Sequence, residues 1–482
     1  MNFEKDPFGS RLFHTFPADS GVPRIKSSPR FLNEAPSSLY IHPTLSHFER
    51  MPIELVQKIF LHCLPGDEYT RPDHRSGPLL VAQVCSSWRH VALKTPRLWC
   101  SLWIQLSRNN VNRRLSTMAT WLGRSAACPL SLHAQVQSTG LDIVNIFFAL
   151  LDRYKQLWKD LRLVLPFNWA TCAMQVLSQS TPLLEVFRMR VAKLQDGWLP
   201  TSPTSFLLTD ESAPRLRRIH WGITGPQPVF FLPHLSRLEE LDVDSELSVA
   251  ECLVILQQCP QLLSCEFWKI RDLESDVLDV QMFSPITLPR LRSLALHSTA
   301  GADMLLEYLV LPALTRLKIA IVGDASGQNV GVSAWSQRRF NNFFARSNSP
   351  LQSLILQDVL PSEEALIHCL ECISASLVEL VLLDTRGVFV VRDRVLTLLI
   401  ARQALDGSVT CLCPRLEVLR FGRSLLSADG LLADMVESRW ERNLPWGPVT
   451  RLRSISPCIY IVDHPEDVRR LAMLRDKGLY CS

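Results

Sequence analysis

Apolar residues recur at spacings of three and four over residues 51–64. Ile53, Val56, Ile59, Phe60 and Cys63 fall on one helical face, and Leu55 and Leu64 widen it. Pro52 suits the first turn, where a missing N–H costs nothing, and Glu54 suits the positive end of the helix dipole. Pro65-Gly66 ends the pattern. The polar stretch 66–77, which holds Pro72, is expected to be a loop. Helical spacing returns with Leu80, Val84, Trp88 and Val91, thickened by Val81, Cys85 and Ala92. Pro96 stops it, because the residue before a proline is pushed out of the helical region. Leu98-Trp99 and Leu102-Trp103 follow at once.

From about residue 155 a different pattern dominates. A short unit, often led by Pro, places an anchor residue, then an apolar residue three positions on, then another after two more. The anchors are Trp158, Leu184, Leu216, Leu238, Leu262, Leu291, Leu314, Leu351, Leu377 and Leu416, at spacings of 22 to 39 residues. The kernel L-x-x-L-x-L at such a period is the leucine-rich-repeat signature. Its last two apolar positions share one face of a short strand, and the anchor packs behind them. Helical stretches such as 249–259 and 363–373 lie between kernels, so the expected architecture is a parallel sheet with helices on the other side. Each unit buries its apolar edge only against its neighbours. The long gaps near 322–346 and 384–412 are expected to be excursion loops. The C-terminal stretch, beginning RLRSIS, predicts a last strand, a capping helix from about Pro465 and a short terminal strand.

Residues 1–46 differ from both patterns. Pro7, Pro17, Pro23, Pro29, Pro36 and Pro43 interleave with Ser and Arg without helical or strand period, so this segment is expected to be mostly disordered. Elsewhere the 47% apolar content is enough to bury a core. A net charge of +4 on 482 residues argues against a nucleic-acid partner, which calls for a concentrated basic stripe. The N-terminus has no apolar core of signal-peptide length, and the longest apolar runs fall short of the ~20 residues that span a bilayer. The 14 cysteines are scattered, as buried thiols of a reduced compartment would be. Cytoplasm and/or nucleus is the expected location, without membrane attachment.

At this point the segment 47–104 is similar to a known motif. MPIELVQKIFLHCLP followed by PLLVAQVCSSWRHVALKTPRLW resembles the F-box, especially as it occurs in the large fungal F-box families. The family pattern falls on Met51-Pro52, Glu54, Leu55-Val56, Ile59-Phe60, Leu80, Val84, Cys85, Trp88 and Leu98-Trp99. Met51 stands where the family has Leu, and the loop 65–77 is longer than in the shortest members. The resemblance covers about 50 of 482 residues. It implies a small all-helical F-box (47–104) followed by an irregular leucine-rich-repeat-like solenoid with a C-terminal cap (105–482), an α/β chain of short parallel strands with helices on the outer side. It further implies a non-catalytic substrate-recognition subunit of a Skp–cullin–F-box ubiquitin ligase. Pro52, Ile53, Leu55, Ile59, Phe60, Leu80, Val84, Cys85, Trp88, Leu98 and Trp99 would meet a Skp-type adaptor, and through it a cullin–RING scaffold. Three short helices cannot enclose all these side chains, so Pro52, Ile53, Leu55, Ile59 and Phe60 are expected to stay partly uncovered. The alternative is a repeat-based interaction scaffold that assembles no ligase.

No H-E-x-x-H, G-x-S-x-G or P-loop occurs, and no catalytic, cofactor or metal residue is assigned. His368, Cys369 and Cys372 form the best metal-like cluster, but they sit on an amphipathic pattern without a second ligand pair. Basic residues punctuate the repeat strands. Arg188, Arg190, Arg217, Arg292 and Lys318 are candidates for holding an acidic or phosphorylated target on the concave sheet face. Glu239, Glu240 and Asp242 interrupt that stripe.

Overall fold

Three short helices lead the described part of the chain: α1 (Ile53–His62), α2 (Gly77–Val84) and α3 (Ser86–Leu93). The computed structural model describes residues 50–66, 69–107, 109–137, 141–192, 208–223, 235–271, 284–298, 302–321, 335–384, 389–403, 409–423, 425–440, 449–458 and 462–481. The Pro-rich segment expected to be disordered lies outside these residues. Pro52 caps α1 in an extended conformation, and Glu54 occupies the first turn. The helical spacing from Leu80 to Val91 is interrupted at Cys85, which is extended (φ −156°, ψ 174°) and accepts the N–H of Trp88 on its sulfur at 3.4 Å. Val81, Val91 and Ala92 are buried on either side of this break, while Leu80 and Val84 face out. Phe60 lies 5.1 Å from Trp88, centroid to centroid, in the small core between the helices.

The rest is dominated by a parallel sheet of 14 described strands whose spatial order is their sequence order. These are β1 (Ser101–Leu106), β2 (Leu130–Val136), β3 (Trp158–Pro166), β4 (Val186–Ala192), β5 (Arg218–Ile223), β6 (Glu240–Ser248) and β7 (Ser264–Arg271). They continue as β8 (Ser293–Ser298), β9 (Arg316–Ile321), β10 (Ser353–Gln357), β11 (Glu379–Leu383), β12 (Val418–Phe421), β13 (Ser454–Pro457) and β14 (Tyr480–Cys481). The kernels explain the ladder. Every anchor from Trp158 to Leu416 is buried, and from Leu184 onward a strand begins two residues after its anchor.

The Pro that leads so many kernels also has a structural reason. The N–H of Leu184, Leu216, Leu262, Leu291, Leu314 and Leu416 donates to the carbonyl three residues earlier, closing a turn. Pro182, Pro214, Pro260, Pro289, Pro312 and Pro414 stand second in those turns, the position for which the ring pre-sets φ. One residue past each anchor the main chain already bonds to the preceding unit. Glu185 N–H donates to Lys159, Arg217 to Glu185, Glu239 to Arg217, and so on to Arg453 on Glu417.

Helices cover the side of the sheet that the kernels bury: α4 (Val111–Arg124), α5 (Leu141–Arg153), α6 (Phe167–Leu177), α7 (Val249–Gln258), α8 (Ala302–Glu307), α9 (Gln337–Ser347), α10 (Glu363–Ile373), α11 (Asp393–Leu399), α12 (Leu431–Trp440) and α13 (Pro465–Asp476). Successive helices touch, α4 with α5, α5 with α6, and α9 through α13 in order. A capping box between Ser248 and Glu251 starts α7, and the Ser362 hydroxyl accepts the Ala365 N–H at the start of α10. The chain is therefore mixed α/β with a large parallel sheet, an arrangement compatible with a solenoid. No described helix is long and apolar enough to cross a membrane.

Two expectations need correction. The gaps 322–346 and 384–412 are not simply loops. In the first, Phe340, Phe343 and Phe344 bury one face of α9; in the second, Val395, Leu396 and Leu399 bury α11, and Arg402–Gln403 pairs antiparallel with Val409–Thr410. The remainder of both gaps lies partly outside the described residues. The sheet also begins earlier than residue 105. Leu102, Ile104 and Leu106 alternate inward on β1, and Leu130, Leu132, Ala134 and Val136 do so on β2. Thr70 joins the loop before α2 to this edge: it accepts the Trp103 N–H at 2.8 Å and donates to the Ser101 hydroxyl at 3.1 Å. Pro52 to Ser482 thus forms one compact unit.

Candidate functional site

The first candidate surface lies on α1–α3. Val56 and Phe60, one turn apart, point inward, so the remaining apolar residues of α1 have no interior to enter. Ile53, Leu55 and Ile59 are 45%, 46% and 39% exposed. Leu80 and Val84 on α2 are 45% and 57% exposed. Pro52 and Cys85 are exposed and Trp88 is half-buried. All three helices contact one another, so these side chains belong to one small helical body. Leu93, 40% exposed on α3, extends the apolar set and was not singled out by spacing; its signal was its place opposite the buried Val91 and Ala92.

Three of the residues expected at this surface are interior instead. Phe60 is 1% exposed, packed on Trp88, so the expectation that it stays uncovered is corrected. Leu98 and Trp99 are also fully buried. Trp99 donates its indole N–H to the Ala92 carbonyl at 3.0 Å, packs edge-on against Trp121 at 4.8 Å, and lies under the Arg124 guanidinium at 4.5 Å. These two residues join the helices to the sheet.

The second candidate surface is the sheet face opposite the helices. The residue between the last two apolar positions of each kernel points to it, and parallel register lines these residues up in one row. Arg162, Arg188, His220, Asp242 and Glu266 stand side by side on β3 to β7, followed by Ala295 and Lys318 on β8 and β9. The row above runs Val164, Arg190, Gly222 and Asp244. A depression of about 270 Å³ is lined by Arg162, Leu163, Val164, Arg188, Arg190 and His220. A second, about 280 Å³, adjoins it and runs from Arg188, Arg218 and His220 to Glu240, Asp242 and Glu266.

Across β5 to β7, basic side chains meet acidic ones on the adjacent strand. His220 meets Asp242, Arg218 meets Glu240 at 3.6 Å, Lys269 meets Asp244 at 2.9 Å, and Arg271 meets Glu246 at 3.5 Å. Beyond them, register shifts in β6 and β7 bring Trp268 out beside His297, stacked at 4.3 Å. Trp268 donates to Asp242 at 2.8 Å, His297 lies 3.0 Å from Glu266, and the Lys318 ammonium sits 5.7 Å from the Trp268 ring.

The five basic residues expected to hold a target are not one group. Arg188 and Arg190 line the same depression. Lys318 belongs to the Trp268 cluster. Arg217 and Arg292 stand just before β5 and β8, and Arg217 is paired with Glu239 at 2.9 Å. Arg162, His220, Glu266, Trp268 and His297 were not singled out from sequence. Superposing the kernels by their anchors would have put all but the last two in one row.

His368, Cys369 and Cys372 do not converge. His368 is exposed, Cys369 is buried with its sulfur 3.6 Å from Gln337 Oε1, and Cys372 is exposed beside Asn341. Burial pushes the Cys369 thiol well above the usual range. Among the described residues, Asp429, His464 and Asp467 are the three that bring metal-type ligand atoms within 4.8 Å of one another. Their geometry is that of helix capping: Asp429 accepts the N–H groups of Glu466 and Asp467, and Asp467 accepts the N–H of Ala433 at 2.7 Å.

Neither a family model nor a curated protein matches this chain.

Proposed function

We propose that the chain is a substrate-recognition subunit of a Skp–cullin–F-box ubiquitin ligase, with α1–α3 as its F-box and the repeat array as a leucine-rich-repeat-like solenoid that holds the target. One observation carries this reading. The positions where the chain resembles the F-box pattern include four apolar residues that α1 and α2 leave exposed, Leu55, Ile59, Leu80 and Val84, and Ile53 beside them is exposed too. Burying each such side chain is worth roughly 1.5–3 kcal/mol before the costs of association. Several together suit a stable protein partner better than solvent. Phe60, Leu98 and Trp99 take a different role in the same motif: Phe60 packs the helices on one another, and Leu98 and Trp99 join them to the sheet. The ligase subunit would need no catalytic group of its own. Rate gain would come from proximity, with the sheet holding the target near a ubiquitin-loaded enzyme.

Co-purification of the full chain with a Skp-type adaptor and a cullin–RING scaffold tests this. A ternary complex supports the ligase. Adaptor binding without cullin recruitment would instead identify an interaction scaffold, and no adaptor binding would remove the reading altogether.

A further inference from the structure

The joint between helices and sheet holds two cysteines as well as Trp99. Cys100 directly follows the turn Pro96–Trp99, and Ser101 begins β1. The chain runs through β1 and α4 and then returns to the same end of the sheet. Just past α4, Ala126 takes a left-handed conformation (φ 53°), uncommon for a residue with a side chain. The Cys128 N–H donates to the Ser125 carbonyl at 3.2 Å and closes this reversal. Two residues later β2 begins. Ser131 on β2 lies opposite Ser101 in parallel register, and its N–H donates to the Cys100 carbonyl at 2.8 Å. Cys100 and Cys128 thus stand at the same end of neighbouring strands, near enough for their thiols to hydrogen-bond. Both are half-buried, within reach of a small solute. Other cysteines differ. Cys252, Cys259 and Cys265 approach one another but are fully buried, and Cys369 is buried beside Gln337 while Cys372 is exposed beside Asn341.

We propose that Cys100 and Cys128 are a modification site, forming a disulfide when the chain meets hydrogen peroxide and so stapling the joint that Trp99 packs. The chemistry takes two steps. The Cys128 sulfur attacks one peroxide oxygen, the O–O bond breaks, and the departing oxygen leaves as water with the thiol proton. A sulfenic acid remains on Cys128. The Cys100 sulfur then attacks that sulfenic sulfur. The S–S bond forms as the S–O bond breaks, and the hydroxyl leaves as a second water with the Cys100 proton. Two electrons pass from the two thiols to one peroxide. Burial, with the Cys128 thiol beside it, pushes Cys100 up to about 12. Cys100 therefore keeps its proton at neutral pH, which suits the resolving role and leaves the first attack to Cys128. The bond would close a loop that contains β1 and α4, and constraining the unfolded chain in this way favours the folded one. The inference does not depend on adaptor docking, whose exposed residues lie on α1 and α2.

The test treats the full chain with hydrogen peroxide at neutral pH, alkylates the remaining thiols and maps the peptides by mass. A linked Cys100–Cys128 peptide, reversed by dithiothreitol, is expected roughly tenfold or more above any other cysteine pair, because the fold holds these two together. The oxidised chain should have a higher urea midpoint than the same chain after reduction. Oxidation repeated in urea should scatter the pairing among the 14 cysteines. Cys100→Ser should leave a sulfenic acid on Cys128 that a 1,3-diketone reagent traps, whereas Cys128→Ser should leave Cys100 unlabelled. That contrast within the pair is one that loss of folding would erase. No linked peptide from the native chain, pairing as frequent elsewhere, or a linked chain with an unchanged midpoint overturns the inference. Equal labelling of the two variants overturns the order of attack.

Discussion

The indole N–H of Trp99 donates to the carbonyl oxygen of Ala92 at 3.0 Å, tying the end of α3 to the residues that enter β1. The bond is fully buried, and Trp121 and Arg124 close over the same ring. Trp99 is therefore a joint between helices and sheet. Trp99→Ala should cost about 3–5 kcal/mol, the usual range for deleting a buried Trp. Trp99→Phe keeps most of the packing but leaves the Ala92 carbonyl without this donor, and should cost less. Urea midpoints of the three proteins check the order.

Arg439 makes a comparable joint near the C-terminal side. It is buried, and its guanidinium donates to the carbonyls of Leu399, Leu412 and Cys413 at 2.6–3.1 Å. Burial holds its pKa below the usual arginine range. Arg439→Leu would leave three carbonyls without this partner, and the expected loss is on the order of 3 kcal/mol or more. Arg439→Lys should recover only part of it, since an ammonium cannot span the same fork. Thermal unfolding of both variants measures the difference.

The repeat turns give a graded pair of substitutions. Leu238 is fully buried and closes its turn on Leu235 at 3.1 Å. Leu238→Ala should destabilise by roughly 2–5 kcal/mol. Pro260→Ala removes only the pre-set φ of the turn closed by Leu262, and should cost about 0.4–1 kcal/mol. Equal effects of the two changes in denaturant unfolding would contradict the kernel geometry.

Buried thiols set an alkaline limit. Burial pushes Cys259 and Cys413 up to about 12 from a free-thiol value of 9.0. A raised folded-state pKa means that the stability tied to the neutral thiol is present below pH 9 and lost as pH rises towards 12. Cys413→Ala should therefore show a shallower fall of the urea midpoint between pH 9 and 11 than the unsubstituted chain. In the native protein at pH 8, exposed Cys63, Cys85 and Cys458 should alkylate first, and buried Cys252, Cys265 and Cys369 only after unfolding. Mass mapping of the modified peptides reads this directly.

Much of the sheet was legible in the sequence because its signal is repeated. Leu216, Leu238 and Leu262 each announce a turn, a strand and a buried column, and α13 with β14 closes the array as the C-terminal pattern suggests. What escaped had a single-copy signal. β1 and β2 carry Ile104 and Ala134 where the kernel has Leu, and the Phe residues of α9 sit in a stretch whose Arg and Asn content hides the helical period. At the candidate surfaces, the sequence led us to expect Pro52, Ile53, Leu55, Ile59 and Phe60 to stay uncovered; the first four are exposed and Phe60 is not. Phe60 and Ile59 are neighbours in an apolar pair, yet one is buried and the other exposed, which only packing against Trp88 decides. The charged face escaped for a different reason. Arg162, Arg188 and His220 are 26 and 32 residues apart and become neighbours only through strand register.

The central claim is that exposed apolar residues of α1 and α2 dock a Skp-type adaptor, and calorimetric titration of the purified chain with such an adaptor tests it most directly. Saturable binding is predicted, weakened at least thirtyfold, about 2 kcal/mol, by Pro52→Ser with Ile59→Asp. Those positions are exposed, so the double variant should keep the unfolding midpoint of the parent. Absence of binding by the unsubstituted chain, or binding that the double variant leaves unchanged, would contradict the claim.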